Sequence, residues 1–208
     1  MNSNILEFMW LAPGAYLLGS LPFSLWLGHL FLGKDIRHYG DHNPGAANVF
    51  RAGNPFIGTL AVILDIGKGI PFVALSQKVY HLPEAAVLTI GLSAILGHAF
   101  SPMLGFKGGK ALAVTAGVIV GLLDAKLFLA FFIPALLFAL ILESHAWLAI
   151  LSPLGTLVYL TISRVSAWEI LFMLCIVSIF TLKQLEDIHG PPRFKPRFIN
   201  WLMPGRQS

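Results

Sequence analysis

The chain has 208 residues, of which 56% are hydrophobic and only 12% are charged, and its formal net charge is +4. Soluble domains carry about 25% charged residues, so this composition excludes an ordinary soluble domain and predicts a helical protein that crosses a bilayer several times. In such a protein a basic surplus reports cytoplasmic loops and contact with anionic lipid, and we expect no nucleic-acid partner. The single cysteine, Cys175, lies in an apolar run, so neither a disulfide framework nor a cysteine metal site is expected.

Apolar runs of about the length that spans a bilayer predict an all-α fold with about seven transmembrane helices. The first run lacks the features of a cleaved signal peptide and is interpreted as a retained helix, interrupted at Pro13-Gly14 and at residues 19–22. We expect one integral membrane domain over 1–208, with a helical core over 1–182 and a basic cytoplasmic tail over 183–208. The expected helices cover residues 4–32, 55–76, 85–96 or 85–104, 111–123, 125–142, 146–163 and 167–182.

A polar stretch over residues 34–51 separates the first two apolar runs. Gly40 and Gly45 let the backbone approach a ligand closely, while Asn43 and Asn48 offer amide donors and acceptors beside several basic side chains. One interpretation is a loop that holds a small anionic, polyhydroxylated molecule at the membrane surface. The other is a cytoplasmic connector whose basic residues only set the topology.

Ionisable residues also occur inside the apolar runs. Asp65 and Lys68 are three residues apart and therefore share a helical face. Charges at membrane depth are costly, which makes the pair a functional hypothesis; a buried structural ion pair, or a short helix that ends near both residues, is the alternative. His98 is a candidate ligand or base, or else a satisfied structural histidine.

The sequence Lys107-Gly108-Gly109-Lys110 forms a glycine-hinged basic turn just before an apolar helix. Backbone N–H groups at a helix N-terminus attract anions, and a flanking lysine adds charge. The turn is not a P-loop, because Leu104 stands where that motif needs glycine and Ala111 stands where it needs serine or threonine.

Seven crossings would place the loop at 33–55, the turns at 105–110 and 143–145 and the C-terminal tail on one side of the membrane. That side would hold ten basic residues against three on the other, which predicts that it is cytoplasmic and that the N-terminus is outside. The ten are Lys34, Arg37, Arg51, Lys107, Lys110, Lys183, Arg193, Lys195, Arg197 and Arg206, and the three are Lys78, Lys126 and Arg164.

Three ordered stretches resemble the PlsY family of bacterial glycerol-3-phosphate acyltransferases. They are TyrLeuLeuGlySerLeuProPhe leading into the polar loop, LeuAspIleGlyLysGly, and GlyHisAlaPheSerPro leading to GlyPheLysGlyGlyLys. The resemblance spans about residues 16–188. It implies a seven-helix enzyme of the bacterial inner membrane that takes acyl phosphate as donor and glycerol 3-phosphate as acceptor, giving lysophosphatidate and inorganic phosphate in phospholipid synthesis.

The resemblance also implies partners and site residues. Acyl phosphate is already activated, so stabilising the developing charge could carry much of the catalysis, and neither a cofactor nor a metal is needed. Membrane lipid and a donor-making enzyme at the membrane are the further candidate partners. We assign catalytic roles to Asp41, Asn48 and Lys110. We assign substrate or phosphate binding to Asn43, Gly45, Arg51, Lys107, Gly108, Gly109, Asp65, Lys68 and His98.

The chain departs from the family at several motif positions. Gly40-Asp41-His42-Asn43 replaces GlySerGlyAsn, so an aspartate stands where the family has an active-site serine. Its charge would repel phosphate unless Asp41 is protonated, turned away or paired with a base. The other departures are Ala47 for threonine, Ala111 for glycine, and Gln184 and Asp187 for a histidine and an asparagine.

Three hypotheses follow from these residues. The first is an acyltransferase with standard or altered kinetics. The second is a diverged, non-catalytic or altered-acceptor membrane protein that binds lipid phosphates. The third is a small transporter, although the two halves show no symmetry of the kind that transporter repeats produce.

Overall fold

The structure, a computed structural model, describes residues 3–195 and is helical throughout that range, with one isolated antiparallel bridge between Leu142 and Phe194. The prediction of an all-α chain is therefore confirmed. The part of the predicted tail beyond Lys195, with Arg197 and Arg206, lies outside the described residues. The helices are α1 (Ser3–Ser20), α2 (Phe23–Leu32), α3 (Ala46–Arg51), α4 (Pro55–Gly67), α5 (Pro71–Lys78), α6 (Glu84–Ala99), α7 (Leu112–Gly121), α8 (Ala125–Ile141), α9 (His145–Ile162) and α10 (Ala167–Gln184).

Seven apolar helical segments run through the described residues. Five are long and apolar enough to cross a membrane, and two shorter apolar helices, α7 and α8, complete the set, in agreement with the predicted count. The five are Ile5–Leu32, Pro55–Lys78, Glu84–Leu104, His145–Ile162 and Ala167–Asp187. The chain divides into two compact units, one ending at Asp124 and the other beginning at Ala125. A single membrane domain with a basic tail stays a prediction.

The first two long apolar segments are each broken into two helices. The predicted interruption at residues 19–22 is confirmed by the break between α1 and α2 at Leu21-Pro22, whereas the one predicted at Pro13-Gly14 is wrong, because Pro13 lies inside a continuous α1. Neighbouring groups can satisfy the carbonyl that a proline frees, which is why prolines are tolerated in such helices. The predicted helix over 55–76 is broken between α4 and α5 at residues 68–70, so that the alternative of a short helix ending near Asp65 and Lys68 is confirmed. Pro71 opens α5 at a position where its missing N–H costs nothing.

The polar loop contains more regular structure than its composition predicts. Residues Ile36–His38 form a 3-10 turn whose N-cap, Asp35, accepts a hydrogen bond from the backbone N–H of Arg37 at 2.9 Å. The Arg37 guanidinium beside it holds the pKa of Asp35 well below its ordinary value. The short helix α3 packs against α4, with Val49 and Ile36 fully buried in a shared apolar cluster. Burial of these side chains stabilises a helix too short to persist alone.

Glycines let pairs of helices in the first unit approach backbone to backbone. A Cβ added at Gly19 would collide with the backbone of Ala94, and one at Gly97 would collide with Tyr16, so α1 and α6 meet through bare main chain. An added Cβ at Gly117 would strike the carbonyl oxygen of Ile66 in the same way, between α7 and α4. Small residues allow such close helix packing in membrane proteins.

In the second unit α9 packs against both α8 and α10. Ser166 caps α10 by accepting a hydrogen bond from the N–H of Glu169 at 3.1 Å. The segment after α10 returns to the α8–α9 turn, where the N–H of Glu143 donates to the carbonyl of Arg193 at 3.0 Å. Gln184, one of the departures noted in the sequence, is buried at the end of α10, and its Oε1 has no hydrogen-bond partner in the range 3–195.

Candidate active site

A cavity of about 190 Å³ lies in the first unit, between the polar loop, α4, α6 and the start of α7. It is lined by seven of the residues predicted to form the site, namely Asp41, Asn43, Gly45, Asn48, Asp65, His98 and Lys110. The remaining lining is apolar: Ala46, Ala47, Val62, Ala111, Leu112 and Ala113. Loop and turn residues that are far apart in the sequence therefore share one cavity.

The Asp41 carboxylate bridges the two cations of the site. Its Oδ2 accepts from the Lys110 ammonium at 2.5 Å, and its Oδ1 accepts from Nη1 of Arg51 at 3.2 Å. Partial burial acts to raise the pKa of Asp41, but the bond and charge of Lys110, with Asn48 and Arg51, outweigh it and hold that pKa below its ordinary value. Of the three possibilities left open by the sequence, the structure shows pairing with a base.

Asn48 fixes the position of Arg51. Its side chain is fully buried, its Oδ1 accepts from Nη1 of Arg51 at 2.7 Å, and its Nδ2 donates to the carbonyl of Asn43 at 2.8 Å. Gly40 has a φ of 56°, and a Cβ there would press against Arg51 and against Oδ1 of Asn48. A glycine is thus required where the loop folds over the arginine.

At two positions where the family has glycine, this chain has another residue although the backbone is left-handed. His42 has a φ of 57°, with its Nδ1 2.8 Å from the carbonyl oxygen of Arg37, and the buried Ala111 has a φ of 63° at the N-cap of α7. Left-handed residues other than glycine are uncommon, and histidine is among the more tolerant types. The chain therefore keeps the backbone path that glycine favours while carrying side chains at both positions.

The basic turn packs against His98 of α6. The N–H of Gly109 donates to the carbonyl of His98 at 3.1 Å, and a Cβ on Gly108 would collide with that same carbonyl oxygen. Lys110 points at the cavity and Lys107 is exposed outside it. The first residues of α7, which follow Lys110, also line the cavity, so unpaired N–H groups of the helix N-terminus lie beside its cation.

Asp65 and Lys68 form a buried ion pair with an N–O distance of 2.7 Å and side chains only 3% and 1% exposed. Asp65 lines the cavity, and its Oδ2 accepts from the Ser24 hydroxyl at 2.8 Å. Besides pairing with Asp65, the Lys68 ammonium donates to the carbonyl of Leu21, in the break between α1 and α2, at 2.8 Å. Lys68 borders a separate small space and not the main cavity.

Sequence reasoning missed several polar side chains that support this arrangement. Ser24 bonds Asp65, while the Ser101 hydroxyl donates to the carbonyl of Ser20 at 2.7 Å and the Tyr16 hydroxyl donates to the carbonyl of Phe100 at 3.0 Å. The helix break at residues 19–22 is a signal for Ser101 alone, because the carbonyls that a break frees need donors. Within residues 3–195 no group of three or more histidines, cysteines or acidic residues could hold a metal ion.

Comparison with known proteins gives a family match over most of the chain. The family described as Glycerol-3-phosphate acyltransferase matches residues 9–190, which is most of the chain. The chain belongs to the glycerol-3-phosphate acyltransferase family. Its place in that family makes it an integral membrane acyltransferase, so the all-α, multi-pass fold and the enzyme class predicted from the sequence are both confirmed.

Individual glycerol-3-phosphate acyltransferases match over nearly their whole length. The protein of that name from Streptococcus sanguinis is 32% identical over 199 residues, covering 90% of this chain and 89% of the relative. The one from Lactococcus lactis is 35% identical over 176 residues, covering 83% and 82%. The crystal structure of PlsY, an integral membrane glycerol 3-phosphate acyltransferase in its glycerol 3-phosphate form, has a TM-score of 0.78 at 27% identity and covers 97% of this chain and 94% of PlsY.

A second crystal structure of PlsY, in its lysophosphatidic acid form, matches with a TM-score of 0.74 at 25% identity. The two structures thus hold an acceptor and an acylated product in a fold shared with this chain. Both molecules carry a phosphate, which is the group that two clustered cations and a helix N-terminus are suited to bind.

Proposed function

We propose that this chain transfers the acyl group of an acyl phosphate to a hydroxyl of glycerol 3-phosphate, giving lysophosphatidate and inorganic phosphate for phospholipid synthesis. The hydroxyl oxygen bonds to the acyl carbon, and the bond from that carbon to the phosphate oxygen breaks. The electron pair leaves with the phosphate, and the hydroxyl proton is accounted for in the released hydrogen phosphate.

One observation carries this proposal: Lys110 and the N-terminus of α7 line one cavity, and Asp41 of that lining also pairs with Arg51, in a chain of this family. Both substrates are phosphates, and charge-assisted hydrogen bonds from lysine, arginine and backbone N–H groups are the strong contacts available to them. The apolar lining from Val62 and Leu112 suits the chain-bearing end of the donor.

The predicted catalytic residues take distinct roles in this proposal. Lys110 stabilises the charge that develops on the leaving phosphate, since preorganised donors act where charge appears in the transition state. Asn48 orients Arg51, which binds a phosphate, and Asp41 pairs with both cations while no phosphate is bound. Asn43 and Gly45 offer further donors at the lining, and His98 supports the basic turn through its carbonyl.

The remaining predicted binding residues contribute by position. Gly108 and Gly109 allow the turn to approach α6, and the exposed Lys107 adds positive potential outside the cavity. Asp65 borders the substrate, whereas Lys68 holds Asp65 and the broken helix in place.

We place the site on the cytoplasmic face of a bacterial inner membrane. In the first unit, the polar loop and the basic turn contain five basic residues: Lys34, Arg37, Arg51, Lys107 and Lys110. The connection between α5 and α6, which lies on the opposite side of the membrane, has only Lys78 beside it. Positive residues favour the cytoplasm. A cysteine introduced as His38→Cys into a Cys175→Ser background should react only with reagents that reach the cytoplasmic side; labelling from outside would invert this topology.

The decisive assay incubates purified protein in lipid with acyl phosphate and glycerol 3-phosphate and follows phosphate release. We expect release that depends on the acceptor, with lysophosphatidate appearing in equal amount. Release without acceptor would indicate hydrolysis or a different acceptor. No release, with intact binding of glycerol 3-phosphate, would favour a diverged binding protein.

Matched variants test the cations. Arg51→Ala and Lys110→Ala should each abolish binding of phosphate substrates, because each removes one of the two charge-assisted donors that meet at Asp41. Arg37→Ala is the control: this arginine lies in the same loop but pairs with Asp35 at 2.6 Å, whereas Arg51 pairs with Asp41 of the cavity lining. Wild-type affinity in the first two variants, or an equal loss in the control, would contradict the assignment.

A further inference from the structure

The carboxylate of Asp41 occupies the position between two cations where a substrate phosphate is expected. Each of its oxygens takes one cation, Oδ2 from Lys110 and Oδ1 from Arg51, and its side chain is 20% exposed. A carboxylate and a phosphate accept the same charge-assisted hydrogen bonds from lysine and arginine. An incoming phosphate therefore competes with Asp41 for the hydrogen bonds that these two cations donate to the carboxylate.

The loop is built so that this displacement leaves the rest of the site in place. Arg51 keeps its bond to the buried Oδ1 of Asn48 at 2.7 Å when it releases Asp41, and Asn48 stays tied to the carbonyl of Asn43. Within its own loop, Asp41 accepts a long hydrogen bond from the N–H of Asn43 at 3.4 Å and interacts with the side chain of Asn48. Arg51 therefore keeps a second partner when the carboxylate leaves.

Building on the proposed function, we propose that Asp41 is a built-in competitor for the phosphate subsite, which re-pairs with Lys110 and Arg51 as inorganic phosphate leaves and so speeds product release. It is a specificity-determining residue, because inorganic phosphate has no contacts beyond this subsite. The acyl chain of the donor and the glycerol of the acceptor supply further contacts that offset the competition.

The size of the effect follows from population arithmetic. A ligand that binds only when the cations are unpaired has its affinity reduced by the fraction of protein in that state. Two partly exposed ion pairs hold the paired state, so removing the carboxylate should tighten phosphate binding about tenfold. Restoring the family serine should act in the same direction, since a hydroxyl carries no charge to compete.

The test is a titration with inorganic phosphate of the purified, lipid-embedded protein, followed by calorimetry. Asp41→Asn, which keeps the shape of the side chain, and Asp41→Ser should each bind phosphate about tenfold more tightly than the wild type. The inhibition constant of phosphate in the transfer assay should fall in parallel. Asp35→Asn is the control, since it removes a carboxylate from the same loop that pairs with Arg37 away from the cavity.

The outcomes separate this inference from the proposed function. Unchanged or weaker phosphate binding in both Asp41 variants, or an equal gain in Asp35→Asn, overturns the role of Asp41 even if transfer proceeds. Tighter phosphate binding in the two Asp41 variants, and not in Asp35→Asn, supports the competitor role of Asp41. The titration needs no turnover, so its result is valid even if the transfer assay refutes the acyltransferase activity.

Discussion

Replacing Lys68 with methionine tests whether this lysine binds substrate or supports the site. The substitution keeps the length of the side chain and removes the ammonium, which donates to Asp65 at 2.7 Å and to the carbonyl of Leu21 at 2.8 Å. Asp65 would then keep one close donor, the Ser24 hydroxyl at 2.8 Å, with Nδ1 of His98 more distant at 3.9 Å.

The expected cost follows from the burial of both charges. Removing one partner of a buried ion pair leaves an uncompensated charge and typically costs about 3–5 kcal/mol in unfolding free energy. In the double variant Asp65→Asn with Lys68→Met neither charge remains, so the penalty should shrink to about 1–3 kcal/mol, which is the cost of leaving the Leu21 carbonyl without its donor.

Unfolding of wild type, single and double variants in one lipid–detergent mixture measures these values. The reasoning is refuted if the single variant is as stable as the wild type, or if the double variant is less stable than the single one. A second readout is phosphate affinity at a temperature where all variants are folded. Lys68→Met should lose less affinity than Lys110→Ala, because the Lys68 ammonium does not line the cavity.

Three further predictions concern the turn, the carboxylate and a helix cap. Gly108→Ala would push a Cβ into the carbonyl of His98, and a shift of the turn by about 1 Å should lower kcat about 100-fold; Gly67→Ala, which meets nothing within 4 Å, should leave kcat near wild type. The pKa of Asp41 in the folded protein lies below its ordinary value of 3.8, so the ionised carboxylate stabilises the fold above pH 3.8, and this contribution is lost as the pH falls through the folded-state pKa. The difference in unfolding free energy between wild type and Asp41→Asn should therefore shrink between about pH 5 and about pH 3. A difference that grows as the pH falls would contradict the lowered pKa. Ser166→Ala should cost about 0.5–2 kcal/mol by removing an N-cap, whereas Ser166→Asp should retain it, as measured by unfolding.

The sequence predicted the helices well because each is a long apolar run and the bilayer sets its length. It also predicted the break at Leu21-Pro22, where a proline and neighbouring small residues interrupt the run. It missed α3, whose six residues depend on packing against α4 and not on a pattern of their own. The break after α4 was predicted only as an alternative, because Gly67 and Gly69 read as ordinary small residues within an apolar run.

Residue types in the site were easier to predict than their partners. The spacing of Asp65 and Lys68 predicts a shared face, but only the fold shows that the lysine turns toward the broken helix. The pairing of Asp41 with Lys110 joins residues 69 positions apart, which no local pattern can specify. The family has glycine at the position of Ala111 because the backbone there is left-handed, and the sequence alone does not show this φ of 63°.

The bare main-chain contacts at Gly19, Gly97 and Gly117 bear on how the cavity accommodates ligands of different size. Where two backbones touch, no side chain remains that could change rotamer to let the helices slide or part. The walls formed by α4, α6 and α7 are therefore stiff, and adjustment to a bulkier acceptor falls to the loop that carries Asp41 and Arg51. Exchanging that loop between relatives should then transfer acceptor preference, while the helices act as a shared frame.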